Sequence, residues 1–391
     1  MPPQAPTSRL RLQYVALFLA IGIFLPYFPV WLAHRGFSTV EIGSLIAAQI
    51  AIRVVSTPLA GALADRSNRR PLVLTVLALV SALAATGLAL ATSKAQIVAA
   101  TLLMAAAMSP LIPISEGEVL QVTRVTGINY GRLRLWGSAA FVAANLGTGA
   151  IIDGIGTGAL MALLAATHLA TAVTSRALPQ EPEAREQTEL STSAIATLLK
   201  DLAFTLFVLA AGLAVASHAA FYTFSSLLWR TLGYDGLTVG ALWATGVVAE
   251  ILLFFTIGKP LSLRTATLFI AGGAFGGIVR WLGFALTPPL VALFLLQCLH
   301  AASFAMVHLG AMNFIRHTVR PALRSTAQTL YSAISGGVLL FASTWAAGRA
   351  YAESPSIAFV LMAGLAAVAC LAGLALWARC AIPRAPAAAD A

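Results

Sequence analysis

Apolar stretches long enough to cross a bilayer recur along this chain, each closed by Gly, Pro, Asn or charged residues. A hydrocarbon core roughly 30 Å thick takes about 20 apolar residues per helix. The pattern predicts twelve spans, near 12–33, 40–64, 71–91, 96–122, 132–153, 158–177, 201–228, 237–257, 265–286, 289–315, 326–348 and 356–378. Between the sixth and seventh lies LPQEPEAREQTELSTSAIATLLK, rich in Pro, Glu, Gln, Ser and Thr and too poor in apolar surface to fold alone. The chain therefore reads as an all-α, polytopic membrane protein with 12 transmembrane helices in two six-helix bundles. The expected divisions are residues 1–178, a cytoplasmic linker at 179–200, and 201–391 with a short tail. Parallel repeats of this kind carry a pathway between halves near the membrane midplane.

Composition sharpens this reading. Hydrophobic residues make up 59% and charged residues 10%, with a mean hydropathy of +0.87, against about 45–50% and about 25% in soluble domains. A net charge of +10 raises the possibility of a nucleic-acid partner, but its distribution reads differently. With both termini cytoplasmic, eighteen Lys and Arg fall on the inner side and four on the outer, leaving Arg53 and Arg280 within spans. Such a bias sets orientation. The expected setting is the lipid bilayer of a bacterial inner (plasma) membrane, with no nucleic acid as partner and a monomeric state. The first span follows Arg9 and Arg11, is longer than a signal-peptide core and lacks a small-residue cleavage site, so it is expected to remain as a signal anchor.

Cys298, Cys370 and Cys380 are scattered in or beside spans and form neither a disulfide framework nor a CxxC site. No HExxH or GxSxG motif occurs. The chain is thus expected to be no enzyme and to need no cofactor or metal, a proton gradient being its driving force. Gly272, Gly273, Gly276 and Gly277 in the ninth span, and Gly137, Gly147 and Gly149 in the fifth, permit close helix approach. In the fourth span, Pro110 and Pro113 each remove a backbone donor and predict a disturbed helix.

GALADRSNRRP, residues 61–71, resembles the loop signature of the major facilitator superfamily. That resemblance makes Asp65 and Arg66 gating-loop residues. YGRLRLWGS (130–138), GIFLPYFPVWL (22–32) and VVAEILLFF (247–255) resemble the phenylpropionate permease family, relatives of lactose permease and other oligosaccharide/proton symporters. The likeness runs through SPLIP in the fourth span, IVRW in the ninth and LHAASFAMVHL in the tenth.

An ionisable side chain at a helix centre costs about 2.5–3.5 kcal/mol on insertion scales, so Arg53, Glu116, Glu118, Arg134, Glu250 and Arg280 each call for a partner or a role. The resemblance places Glu116 and Arg134 at the charged part of a substrate site, with Phe141 as its stacking ring. By residue chemistry alone, Arg134 is either a fork that exchanges carboxylate for substrate oxygens or half of a static salt bridge. Glu118, on another helix face, reads as structural or pore wall.

Depth counting along the helices gives a two-rung ladder, Arg280 with His300 and Glu250 with His308, and makes Glu250 the favoured proton carrier. The resemblance matches Glu250, Arg280 and His300 but has a further Glu where this chain has Ser303. The site of proton coupling, an unconventional carrier and plain facilitated transport all stay open. His218 reads as a packing residue. Arg53, near the centre of the second span, suits an anionic solute or else pairs with Glu116 or Glu118. Tyr27, with Phe24, Phe28, Phe221, Tyr222, Phe224 and Trp243, supplies candidate aromatic walls.

The favoured reading is a secondary active transporter that moves an aromatic carboxylate such as phenylpropionate with a proton. In it Arg53, Glu116, Arg134, Phe141 and Tyr27 bind substrate, and Glu250, Arg280, His300 and His308 couple protons. The alternatives are a sugar or oligosaccharide/proton symporter and a non-transporting membrane sensor.

Overall fold

A computed structural model describes residues 4–127, 130–178, 192–257 and 259–381. Most of the expected linker, 179–191, lies outside the described residues. The helices are α1 (Gln4–His34), α2 (Thr39–Ser67), α3 (Arg70–Leu90), α4 (Lys94–Met108), α5 (Leu111–Thr126) and α6 (Tyr130–Ile155). There follow α7 (Ala159–Arg176), α8 (Thr192–Lys200), α9 (Leu202–Ala216), α10 (Ala219–Thr231), α11 (Gly236–Thr256) and α12 (Leu263–Ala285). The chain closes with α13 (Leu290–Cys298), α14 (Val307–Thr318), α15 (Arg324–Ser332), α16 (Leu340–Glu353) and α17 (Pro355–Ala381). Among the described residues there is no strand.

Among the described residues eleven stretches are helical, long and apolar enough to cross a membrane, and α7 stands at the remaining expected span. The architecture is the twelve-helix, two-bundle fold that the apolar pattern predicts. The surface has the character of lipid-facing helix. Leu83 is 70%, Val291 73% and Phe255 71% exposed, while Arg280 is wholly buried. Polar groups stay inside because hydrocarbon offers them nothing to bond with.

Helix ends carry their own chemistry. Ser38 caps α2 by accepting from the Glu41 backbone N–H, while the Glu41 carboxylate accepts from the Ser38 N–H, a reciprocal capping box. Glu41 also pairs with Lys94 at 2.8 Å, which ties the start of α2 to the start of α4. Ser93 and Gln96 repeat the capping box at α4. The C-terminus of α2 closes on Asn68 in the left-handed region (φ 48°), which its short polar side chain tolerates.

Several spans are broken at depth. The fourth is split into α4 and α5 at Ser109–Pro110, as its prolines predict. The seventh divides into α9 and α10 around Ser217 and His218 with no proline to announce it. The tenth and eleventh contain π-helical turns at Ala301–Met306 and Ala333–Leu339, a geometry that recurs at functional sites. The linker's described end, Thr192–Lys200, is helical.

By packing the chain divides into two compact units. The first comprises residues 1–185, 221–244 and 344–352, and here α1 packs on α6 and α7, and α3 on α4 and α7. The second comprises 186–220, 245–343 and 353–391, and here α12 and α17 pack together, with α9 against α17. Its core gathers Phe204, Phe207, Phe314 and Tyr331, with Phe207 and Phe314 stacked at 4.5 Å.

Within the first unit, glycines set the closest approaches. A β-carbon on Gly149 or Gly240 would strike backbone, and each would also fall within 3 Å of the Tyr27 hydroxyl, at 2.7 and 2.9 Å. A β-carbon on Gly43 would lie 2.7 Å from the Gly348 Cα. Gly147, two residues from Gly149, meets nothing within 4 Å. Gly149→Ala is therefore expected to cost about 1–3 kcal/mol by overpacking, seen as a lower melting temperature in detergent. Gly147→Ala on the same helix should be neutral or stabilising; equal effects of the two would refute this packing.

Candidate functional site

In the first unit α1, α5 and α6 bring aromatic hydroxyls to one carboxylate. Glu116 Oε2 accepts from Tyr14 Oη at 2.9 Å and from Tyr130 Oη at 2.7 Å, while Oε1 lies 3.5 Å from Arg134 Nε. The Arg134 guanidinium sits 4.1 Å above the Phe18 ring and 5.9 Å from that of Tyr14, so its charge is met by a carboxylate and by π-faces together. Glu116 and Arg134 thus meet as expected. The two phenols are partners that charge counting did not find. Phe141 is buried on α6, one face of its backbone filled by Gly22.

Tyr27 is placed differently from an open aromatic wall. Its ring is buried, and its hydroxyl lies 2.6 Å from the Asn145 carbonyl and 3.0 Å from that of Gly236. With one proton to donate, it is committed to backbone. Close by, Asp153 accepts from Arg230 at 2.7 Å and from the Gly236 N–H. Other candidate aromatics pack on one another: Phe24 on Phe28, Phe221 on Trp243, and Phe224 on Tyr351.

The loop between α2 and α3, expected to be a gating loop, is held by Arg70, which that expectation did not name. Arg70 donates to Asp65 at 2.8 Å and to Gln121 at 3.2 Å, and its Nη1 lies 3.7 Å from Glu118. One guanidinium thereby ties the end of α2 to α5 through the start of α3. Glu118, read as structural or pore wall, is buried beside this guanidinium. Arg66 is exposed in the last turn of α2. Arg70 was visible as the second member of the basic pair in the loop motif, and its i+5 spacing from Asp65 was the available signal.

Arg53 lines a cavity of about 250 Å³ between α1, α2, the α4–α5 break and α7. Leu17, Ile21, Phe24 and Ile112 supply apolar wall, and Ser109 and His168 are its other polar residues.

In the second unit, Arg280 is the hub. Its Nη1 donates to His300 Nδ1 at 3.0 Å and to Ser303 Oγ at 3.2 Å, and its Nη2 donates to Gln297 Oε1. Because a guanidinium only donates, His300 Nδ1 must be bare, and a neutral His300 carries its proton on Nε2. That nitrogen lies 3.6 Å from Glu250 Oε2. Depth counting put Arg280 and Glu250 on separate rungs; the structure joins both at a single imidazole. The long side chains of Arg280 and Glu250 reach opposite nitrogens of one ring, at the residue from which the π-helical turn of the tenth span begins. His308 continues the same face through Phe304, whose ring stacks on His300 at 5.1 Å and on His308 at 6.3 Å.

Ser303, in place of the expected acid, bridges Arg280 to His218 Nε2 at 3.2 Å, while His218 Nδ1 donates to the Ala214 carbonyl at 3.0 Å. His218 is a satisfied core histidine that also extends the network. Loss of the hub is expected to be costly. Arg280→Leu strands three buried acceptors and should cost about 3–5 kcal/mol, measured as thermal stability in detergent. Ser303→Ala removes one bridge and should cost about 1 kcal/mol; equal losses would deny Arg280 its central place.

Comparisons with known proteins accord with this architecture. The sequence profile of the MFS_1 like family matches residues 7–361. The chain is 30% identical over 348 residues to an Escherichia coli (strain K12) protein described as a "Probable 3-phenylpropionic acid transporter", covering 88% of this chain and 91% of that one. It is 29% identical over 336 residues to the maltose permease of Geobacillus stearothermophilus, covering 84% and 83%. Among solved structures it is similar to the nucleoside transporter NupG (TM-score 0.83, 18% identity, 95% and 98% covered). It is also similar to a D-xylose-proton symporter (TM-score 0.68, 14% identity, 96% and 98% covered). At these identities the solved structures speak for the fold.

Proposed function

The chain belongs to the MFS_1-like family and is an integral membrane transporter of the major facilitator type, not an enzyme; on that premise we propose that it carries a small aromatic carboxylate such as 3-phenylpropionate together with a proton, by alternating access. The proposed setting is the bacterial inner membrane with both termini cytoplasmic. The moving parts proposed are a bundle at 1–178 and another at 201–391.

One observation carries the choice of substrate. Arg53 stands in the wall of a compact cavity whose other lining is mostly apolar. A guanidinium beside aliphatic and aromatic side chains matches a carboxylate on an apolar body. A sugar asks instead for many hydroxyl partners, and this lining offers few. The likeness to a phenylpropionic acid transporter supports the same choice.

The sugar reading keeps one supporting feature, the Glu116, Arg134 and Tyr130 group, together with the likeness to a maltose permease. For proton coupling, Glu250 beside the Nε2 of His300 is the proposed carrier. A carboxylate that faces an imidazole N–H, with the Arg280 charge behind it, has neighbours whose approach and withdrawal release and return its proton.

Uptake by proteoliposomes tests both parts. Wild-type protein should accumulate labelled 3-phenylpropionate under an inward proton gradient and ignore maltose, and Arg53→Ala should lose that uptake. Accumulation of maltose alone, or full uptake by Arg53→Ala, would defeat the carboxylate reading. Glu250→Gln should retain exchange of labelled for unlabelled substrate and lose gradient-driven accumulation. A variant that still concentrates substrate removes Glu250 from the coupling step.

A further inference from the structure

The cavity beside Arg53 has a second basic group in its wall, His168 on α7, to which the charge pattern assigns no role. The residue is 1% exposed, and neither ring nitrogen finds a hydrogen-bond partner among the described residues. A neutral imidazole has one N–H donor and one bare acceptor, and burying both unmatched is costly where no water can reach them. The other deeply buried imidazoles of this protein are matched. His218 bonds the Ala214 carbonyl and Ser303, and His300 meets Arg280 and Glu250. A leucine would fill the space of His168 without that cost, so packing alone gives no reason for a histidine at this position.

We infer that His168 is a substrate-recognition residue, which with Arg53 forms a two-point site for a monocarboxylate bearing a compact apolar body. The inference rests on the carboxylate reading of the cavity and deepens it. One carboxylate oxygen bonds the Arg53 guanidinium and the other accepts from the imidazole N–H. Leu17, Ile21, Phe24 and Ile112 take the apolar body. An imidazole with two unmatched nitrogens rests as apolar packing allows, and an acceptor oxygen in the cavity gives the ring a reason to turn.

The neutral ring already holds a donor, so recognition needs no change in its charge. At about 250 Å³ the cavity is smaller than the roughly 300–1,000 Å³ of drug-sized pockets. That space favours one ring with a short acid chain and disfavours a disaccharide.

The test uses purified full-length protein in detergent, with melting temperature and calorimetric affinity read for 3-phenylpropionate, benzoate, the neutral 3-phenylpropanamide and maltose. His168→Leu should melt without ligand at the wild-type temperature or above it. The same variant should bind 3-phenylpropionate about tenfold more weakly or worse, the loss of one hydrogen bond to a charged group. His168→Gln, which keeps an N–H donor, should recover part of that affinity.

A His168→Leu protein that melts lower, or that cannot be purified, marks the histidine as a structural residue and overturns the inference. Wild-type affinity in His168→Leu together with lost binding in Arg53→Ala overturns the role of His168 and leaves the carboxylate reading standing. A wild-type protein that binds neither acid overturns both.

Discussion

An ionised side chain in hydrocarbon must meet its charge or its hydrogen-bonding capacity inside the protein, and this requirement organises the polar interior here. Apolar side chains give helices little reason to associate in a lipid whose tails are equally apolar. Register therefore falls to the polar groups. Arg280 fixes α12 against the tenth span through His300, Ser303 and Gln297, and Glu116 fixes α5 against α1 and α6 through two phenols and Arg134. Small residues permit the approach; charged residues choose where along the helix it occurs.

The two clusters solve the same problem with different chemistry. In the first unit a carboxylate is surrounded by hydroxyl donors and a guanidinium lying on aromatic faces. In the second a guanidinium is surrounded by neutral acceptors, with the Glu250 carboxylate one imidazole away. Ser303 belongs to this second solution. A hydroxyl both accepts from Arg280 and donates to His218, which an ionised carboxylate at the same place would not do.

Much of this was legible in the sequence. Twelve apolar runs gave the helices, Pro110 and Pro113 gave the break between α4 and α5, and the intramembrane charges marked the residues around which both clusters form. What stayed hidden has identifiable causes. Counting depth by helix rise leaves out side-chain reach, and the long side chains of Glu250 and Arg280 meet opposite nitrogens of His300. The division between α9 and α10 has no proline to announce it. Tyr14 and Tyr130 look like any aromatic residues near a helix end until a carboxylate is placed between them. Arg70 was concealed in a basic pair that orientation alone explains. His168 sits among threonines and alanines with no charged neighbour in sequence, and only the emptiness around its nitrogens distinguishes it.

The bare contacts of Gly149 with Gly236, and of Gly240 with the Asn145 backbone, have a mechanical consequence. Ordinary helix contacts are toothed, and separating them means lifting each side chain out of its socket. A contact made of bare main chain has no teeth, so the surfaces can part or shear without any rotamer having to reset. The phenol of Tyr27, sharing one hydrogen between two carbonyls, then serves as a latch on an otherwise smooth bearing.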